Sequence, residues 1–278
     1  MEPFQLLELF LWGTVGFYCL ASIFFILYAS FPKPWLLKTA RYLTIIGFVF
    51  HLIAVVYRWQ LAGHGPYRTI HEILVCNSSF VILLYLCITW RWKKYQFLGA
   101  FVIPLALMFM GGGMLASREV LYLSPSVQSP WLVVHVIFAK MAVASVILAT
   151  GLAMAMLLRT TRLSRLQQVE KVLSAVDDLK QMCFQLIQAA FIFATLMIIA
   201  GAIWANDAWG RYWGWDVIEI WSLITWALYG FVLHLRMYRN VSEIMLAGFI
   251  ILALLSSLIA AFIIPLAAQH SIHSMYFK

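Results

Sequence analysis

Between Trp204 and Trp226 the chain reads WANDAWGRYWGWDVIEIWSLITW, gathering six of its 12 tryptophans around Asp207, Arg211, Asp216 and Glu219. Flat indole rings interleaved with a few fixed charges suit one task well. They can stack on a large planar apolar ligand while polar groups orient its edge. The competing reading is an interfacial aromatic belt, because indoles favour the headgroup zone of a membrane. The density of Trp204, Trp209, Trp213, Trp215 and Trp221 around those charges weakens the belt reading and leaves the platform open.

Histidines supply the matching chemistry. His135 in PWLVVHV and His270 and His273 in QHSIHSMY stand near the ends of apolar runs, and an imidazole nitrogen is a standard axial ligand for haem iron. One ligand from each side would leave an edge of the macrocycle facing the tryptophans. His51 and His234 form a second candidate pair inside apolar runs. His51 is about nine residues from the basic end of its run, hence roughly 14 Å deep at 1.5 Å per residue. Ionisable groups in such places are functional suspects, with helix-to-helix hydrogen bonding as the plain alternative. Glu72, next to His71, can orient a ligand histidine through its ring N–H or pair with Arg58 or Arg68. Lys140 can meet a carboxylate; snorkelling outward from its apolar run is the favoured reading. His64, in the polar GHGPY stretch, reads as a surface residue.

The elements that must position these residues are membrane helices. The chain has 278 residues, 64% hydrophobic and only 11% charged, with mean hydropathy +0.91. That excludes an ordinary soluble domain and indicates an all-α, polytopic integral membrane protein. Apolar runs long enough to cross as helices fall roughly at 6–30, 42–60, 72–90, 96–115, 131–158, 183–204, 217–235 and 243–266. These eight runs form one membrane domain over 1–278, with a tryptophan-rich outer loop at about 204–221. The first run is read as a retained span, since it has neither a basic leader nor a cleavage site.

The net charge of +8 sits in alternate connectors and serves orientation rather than nucleic-acid binding. Segments 31–41, 91–95, 159–182 and 236–242 hold most of the 19 lysines and arginines, which puts them on the cytoplasmic side and both termini outside. The 159–182 segment is long enough for an amphipathic surface helix. The four cysteines, Cys19, Cys76, Cys87 and Cys183, form no CxxC or CxxCH pattern and read as packing residues. MGGGML, at 110–115, either permits a close helix contact or marks a flexible helix end, and lacks the GK[ST] of a phosphate loop.

WGRYWGWDVIEIWSLITW, at 209–226, resembles the tryptophan-rich signature of haem-handling proteins of cytochrome c assembly, and most resembles the CcsA/ResC family of System II. The resemblance runs from about the second span to the C-terminus. It implies haem b as a transported substrate, moved to the outer face and joined there to the CxxCH cysteines of apocytochromes. It implies His51 and His234 as membrane-site ligands, and His135 with His273 or His270 as outer-site ligands. The presenting loop would comprise Trp204, Trp209, Gly210, Trp213, Trp215, Asp216, Glu219 and Trp221, with Glu72 as an orienting residue. A CcsB/ResB-type membrane partner would complete the synthase, so the chain is a subunit of a haem lyase, in a bacterial cytoplasmic membrane or a thylakoid. Two departures stand out: WDVIE replaces the usual Trp-Asp-Pro-Lys-Glu, and RTIHE replaces an asparagine-containing form. They leave open a HemX-like haem-binding regulator. A cytochrome b electron-transfer subunit is a further alternative, which the tryptophan stretch argues against.

Overall fold

A computed structural model describes residues 3–121, 128–160, 173, 175–235 and 241–264. Within them the chain forms eight α-helices: α1 (Pro3–Ser30), α2 (Pro34–Ala62), α3 (Ile70–Arg91), α4 (Gly99–Leu115), α5 (Pro130–Thr160), α6 (Val176–Trp209), α7 (Val217–Leu235) and α8 (Glu243–Leu258). A 3-10 turn, Lys93–Leu98, leads into α4, and a π-helical turn, Ile259–Ile263, continues α8. All eight are long and apolar enough to cross a membrane, α4 and α8 together with their turns. Helix is what an apolar span must adopt, because lipid offers its backbone no hydrogen-bond partner.

Two boundaries move from their expected places. Helix α2 starts at Pro34, whose missing N–H costs nothing at a first helical position. Most of the 31–41 connector, Lys38 and Arg41 included, is therefore helical. Helix α6 runs on to Trp209, which confines the tryptophan-rich connector to 210–216. The amphipathic surface helix expected within 159–182 falls largely on residues outside those described, as do Arg236 and Arg239.

The chain divides into two compact units, Met1–Tyr122 with Ala155–Asp178, and Leu123–Met154 with Leu179–Lys278. In the first, α1 and α2 pack closely because small residues meet rings. A Cβ on Gly13 would lie 2.7 Å from the Phe50 ring, and one on Gly47 would lie 2.8 Å from Tyr18. Phe10 and Phe17 both meet Phe50 edge-on. Leu7, Leu11, Ala54, Val75, Met110 and Met114 form the core where α1 to α4 converge. Polar threads join α3 to α4: Ser78 donates to the Ala106 carbonyl at 2.8 Å, and His71 Nδ1 lies 2.7 Å from the Gly113 carbonyl. A Cβ on Gly113 would meet Val75 at 2.9 Å, so MGGGML is helical and its last glycine serves close contact.

In the second unit, hydroxyl pairs tie α7 to α8, Thr225 to Ser256 at 2.7 Å and Tyr229 to Ser257 at 2.6 Å. Trp226 joins α6 to α7. Its indole N–H donates to Thr195 at 2.8 Å and its ring stacks on Phe191. Hydrogen bonds of this kind between membrane helices stabilise by about 0.6 kcal/mol on average, so apolar packing carries the rest.

Candidate functional site

The tryptophan stretch is built from a helix end, a short connector and a helix start. Gly210 ends α6 at φ +71, the left-handed conformation that a C-terminal glycine adopts without strain, and its N–H reaches the Asn206 carbonyl at 2.8 Å. Helix α7 then begins with a box-like reciprocal cap over Asp216-Val217-Ile218-Glu219, in which Asp216 bonds the second helical N–H rather than the third. Asp216 Oδ1 accepts the Ile218 N–H at 3.2 Å, and Glu219 Oε2 accepts the Asp216 N–H at 3.1 Å. These side chains satisfy donors that the first turn of any helix leaves open. The box explains why the helix begins well without the proline of the family signature.

Glu219 Oε2 also accepts the Gly214 N–H at 2.8 Å, so one oxygen grips the chain on both sides of Trp215. Trp215 has φ +56, the single non-glycine residue at positive φ among the described residues. Its side chain is 69% exposed and crosses Trp213 edge-on at 5.9 Å. A Cβ on Gly214 would sit 2.6 Å from the Arg211 guanidinium carbon, so the arginine folds over this backbone and would have to swing aside for a larger residue.

His135 stands in the second turn of α5, in the same unit as the connector. Its Nδ1 lies 2.8 Å from the Met197 carbonyl of α6. A carbonyl only accepts, so Nδ1 carries a proton, and in the neutral ring the lone pair is then on Nε2, the form that an axial ligand takes. The ring lies 6.4 Å from Trp204, tilted by 34°, and Trp204 meets Trp209 edge-on at 5.0 Å. Trp204 is buried on α6, and Trp221 is half-buried on α7. The residue sequence reasoning missed is Gly201, where a Cβ would lie 2.6 Å from His135 Nδ1. A glycine within an apolar span was the available signal of such a close approach.

The other predicted residues have surroundings of their own. His51, in the first unit, is fully buried, with Nδ1 3.2 Å from the Tyr18 hydroxyl and Nε2 3.0 Å from the Val75 carbonyl. The neutral ring protonated on Nε2 satisfies both contacts, the tyrosine donating to Nδ1. His234, in the second unit, is exposed in the last turn of α7. His270 and His273 lie outside the described residues. Lys140 does not snorkel outward, because it is only 5% exposed and faces the packed interior.

Glu72 takes the ion-pair role. Its Oε1 lies 3.0 Å from both Nε and Nη2 of Arg58, with the two side chains 0% and 3% exposed. Its Oε2 accepts the N–H groups of Arg68 at 2.9 Å and Thr69 at 3.3 Å, while Thr69 Oγ1 accepts the Glu72 N–H at 3.2 Å. RTIHE thus holds the capping box of α3, formed by Thr69 and Glu72. Arg58 also donates to the carbonyls of Arg118 at 2.8 Å and Glu119 at 2.7 Å, drawing the segment after α4 across this helix start. His64 is buried, contrary to its polar sequence surroundings, because its Nε2 reaches the Leu121 carbonyl of the same segment at 2.7 Å.

The chain is similar in sequence to known proteins and in fold to a solved structure. The cytochrome c biogenesis protein CcsA of Marchantia polymorpha is 28% identical over 287 residues, covering 86% of this chain and 88% of that protein. CcsA of Prochlorococcus marinus, strain AS9601, is 27% identical over 230 residues, covering 73% and 74%. CcsA of Chlamydomonas reinhardtii is 28% identical over 196 residues, and this chain spans 55% of its length. Among solved structures, the cytochrome c haem lyase CcmF has the same fold, with a TM-score of 0.72 and 19% identity over 94% of this chain and 47% of that one. The family model of the cytochrome c assembly protein matches residues 70–272, which take in Glu72, His135, the whole tryptophan stretch, His234 and His270. With that match over most of its length, the chain belongs to the cytochrome c assembly protein family.

Proposed function

We propose that the chain is the haem-handling subunit of a cytochrome c synthase, carrying haem b as cargo to the outer face of the membrane and presenting it for attachment to CxxCH apocytochromes. The observation that carries this reading is the bond between His135 Nδ1 and the Met197 carbonyl. It orients the ring and places a proton on Nδ1, as the non-ligating nitrogen of a metal-binding histidine requires. His273 or His270 supplies the second outer ligand. The tryptophans of 204–221 hold the flat faces and apolar edge of the ring.

His51 and His234, each taken within its own unit, are the histidines that would ligate haem inside the membrane before it moves outward. In His51 the Nε2–H on the Val75 carbonyl would orient the ring, and Nδ1, which now meets the Tyr18 hydroxyl, would be the nitrogen offered to the ligand. The arrangement mirrors His135 with the two nitrogens interchanged. Attachment itself adds each cysteine S–H across a haem vinyl group, sulfur to one carbon and hydrogen to the other, with no net change in oxidation. The chain assists by holding the vinyl edge in place, a contribution of proximity rather than of a protein nucleophile. A CcsB/ResB-type partner completes the synthase. The basic connectors face the cytoplasm of a bacterium, or the corresponding side of a thylakoid.

The test is covalent haem attachment to a CxxCH reporter in cells carrying the partner. His135→Ala is expected to lower attachment by about a hundredfold, since loss of merely a hydrogen-bond partner of a metal-binding histidine can cost that much, and added imidazole should restore part of it. Wild type that binds haem yet attaches none beside an intact partner would instead mark a regulator.

A further inference from the structure

We infer that Glu219 is a positioning residue, a clamp that holds Trp215 in its left-handed conformation and so sets the direction in which that indole faces the ligand. Three local features carry this. The backbone at Trp215 adopts φ +56, which costs a side-chain-bearing residue energy and persists only where its surroundings impose it. A single carboxylate oxygen, Glu219 Oε2, accepts the N–H groups of Gly214 at 2.8 Å and Asp216 at 3.1 Å, the residues immediately before and after Trp215. Both bonds are charge-assisted, the stronger class of hydrogen bond. Finally, the clamped indole is the one that ends up exposed, at 69%, while Trp213 beside it is half-buried.

A helix start needs only the Asp216 half of this arrangement. A capping box is complete when Glu219 reaches the Asp216 N–H and Asp216 reaches back into the first turn. The Gly214 bond goes beyond the helix and closes the turn on the far side of Trp215. Strain concentrated at one aromatic residue, and relieved by no contact of its own backbone, is the pattern expected where orientation of the side chain matters. Glu219 thus acts on the ligand only through Trp215.

This inference rests on the proposed haem-handling role, and a double-mutant cycle separates the two. Reporter attachment and the absorption spectrum of co-purified haem are measured for the full chain with its partner, in wild type, Glu219→Ala, Glu219→Gln, Trp215→Gly and the double variant Trp215→Gly/Glu219→Ala. Trp215→Gly suits the left-handed backbone and removes the indole. Each of the two single losses should reduce attachment by on the order of tenfold to a hundredfold, the cost of misplacing a binding group. The double variant should be no worse than Trp215→Gly. Glu219→Gln, which keeps an acceptor oxygen, should recover most of the activity and the wild-type spectrum. Amide hydrogen exchange should show Gly214 losing protection in Glu219→Ala and keeping it in Trp215→Gly.

Multiplying losses in the double variant, or unchanged exchange at Gly214, would overturn the clamp while leaving the haem-handling role intact. Wild type that neither holds haem nor supports attachment would overturn both.

Discussion

Two helix starts in this protein use the same four-residue device to opposite ends. Thr69-Ile70-His71-Glu72 and Asp216-Val217-Ile218-Glu219 both cap a membrane helix reciprocally, with a glutamate at the third helical position. At α3 the glutamate is fully buried, its charge is matched by Arg58, and Arg58 in turn binds two carbonyls of the segment after α4. At α7 the glutamate is half-buried, and its second bond goes to the connector that carries Trp215. The first closes a surface; the second keeps an indole turned outward. A capping box therefore fixes where a helix begins, and the partner of its glutamate decides what the start is used for.

The largest effect that would break this comparison lies at α3. Arg58→Ala leaves the Glu72 carboxylate buried without its counter-charge, a loss of about 3–5 kcal/mol for a pair of this kind. The expected result is a strongly lowered unfolding temperature in detergent. The double variant Arg58→Met/Glu72→Leu should recover much of that loss, because removing both charges also removes their desolvation cost. If Arg58→Ala proves as mild as a surface substitution, the closed character of this helix start is wrong.

A smaller effect sharpens the α7 side. Asp216→Ala deletes the acceptor of the Ile218 N–H and should cost about 1 kcal/mol, the usual value of an N-cap, whereas Asp216→Asn should be nearly neutral. Thermal unfolding of the two variants decides this. A large loss in the asparagine variant would mean that the Asp216 charge, rather than its capping bond, matters for stability.

Much of this architecture was legible in the sequence because lipid imposes a simple grammar. An apolar run must be a helix, so eight runs gave eight helices. What stayed hidden depends on distance along the chain or on competing meanings. His64 sits in a polar loop, and only Leu121, 57 residues away, makes it a buried residue. Gly201 looks like any glycine in a span until His135 is packed against it. The extent of the tryptophan connector was overestimated because aromatic density conceals helical continuity: Trp204 and Trp209 complete α6, and Trp221 lies within α7. The Arg58 partner of Glu72 was among the expected pairings, whereas the two capping arrangements, visible as [ST]-x-x-[DE] and its aspartate counterpart, were not read as helix starts. Of the candidate site, the neighbourhood of His135 and the tryptophans was readable. The tautomer of His135, set by a backbone carbonyl of another helix, was not.

The smallest predicted effect separates a buried latch from an exposed one on the same segment. Arg118, whose carbonyl Arg58 holds, also pairs its own Nη1 with Glu8 at 2.6 Å. Those side chains are 29% and 53% exposed, so solvent screens the attraction and ordering two long side chains offsets it. Arg118 keeps a further bond to the Met114 carbonyl at 3.0 Å without Glu8. Glu8→Ala should therefore change stability by no more than about 0.5 kcal/mol, and raising the salt concentration should shrink even that. A loss approaching that of Arg58→Ala would show that the segment after α4 is fastened from α1, and would move the closing role away from the α3 capping box.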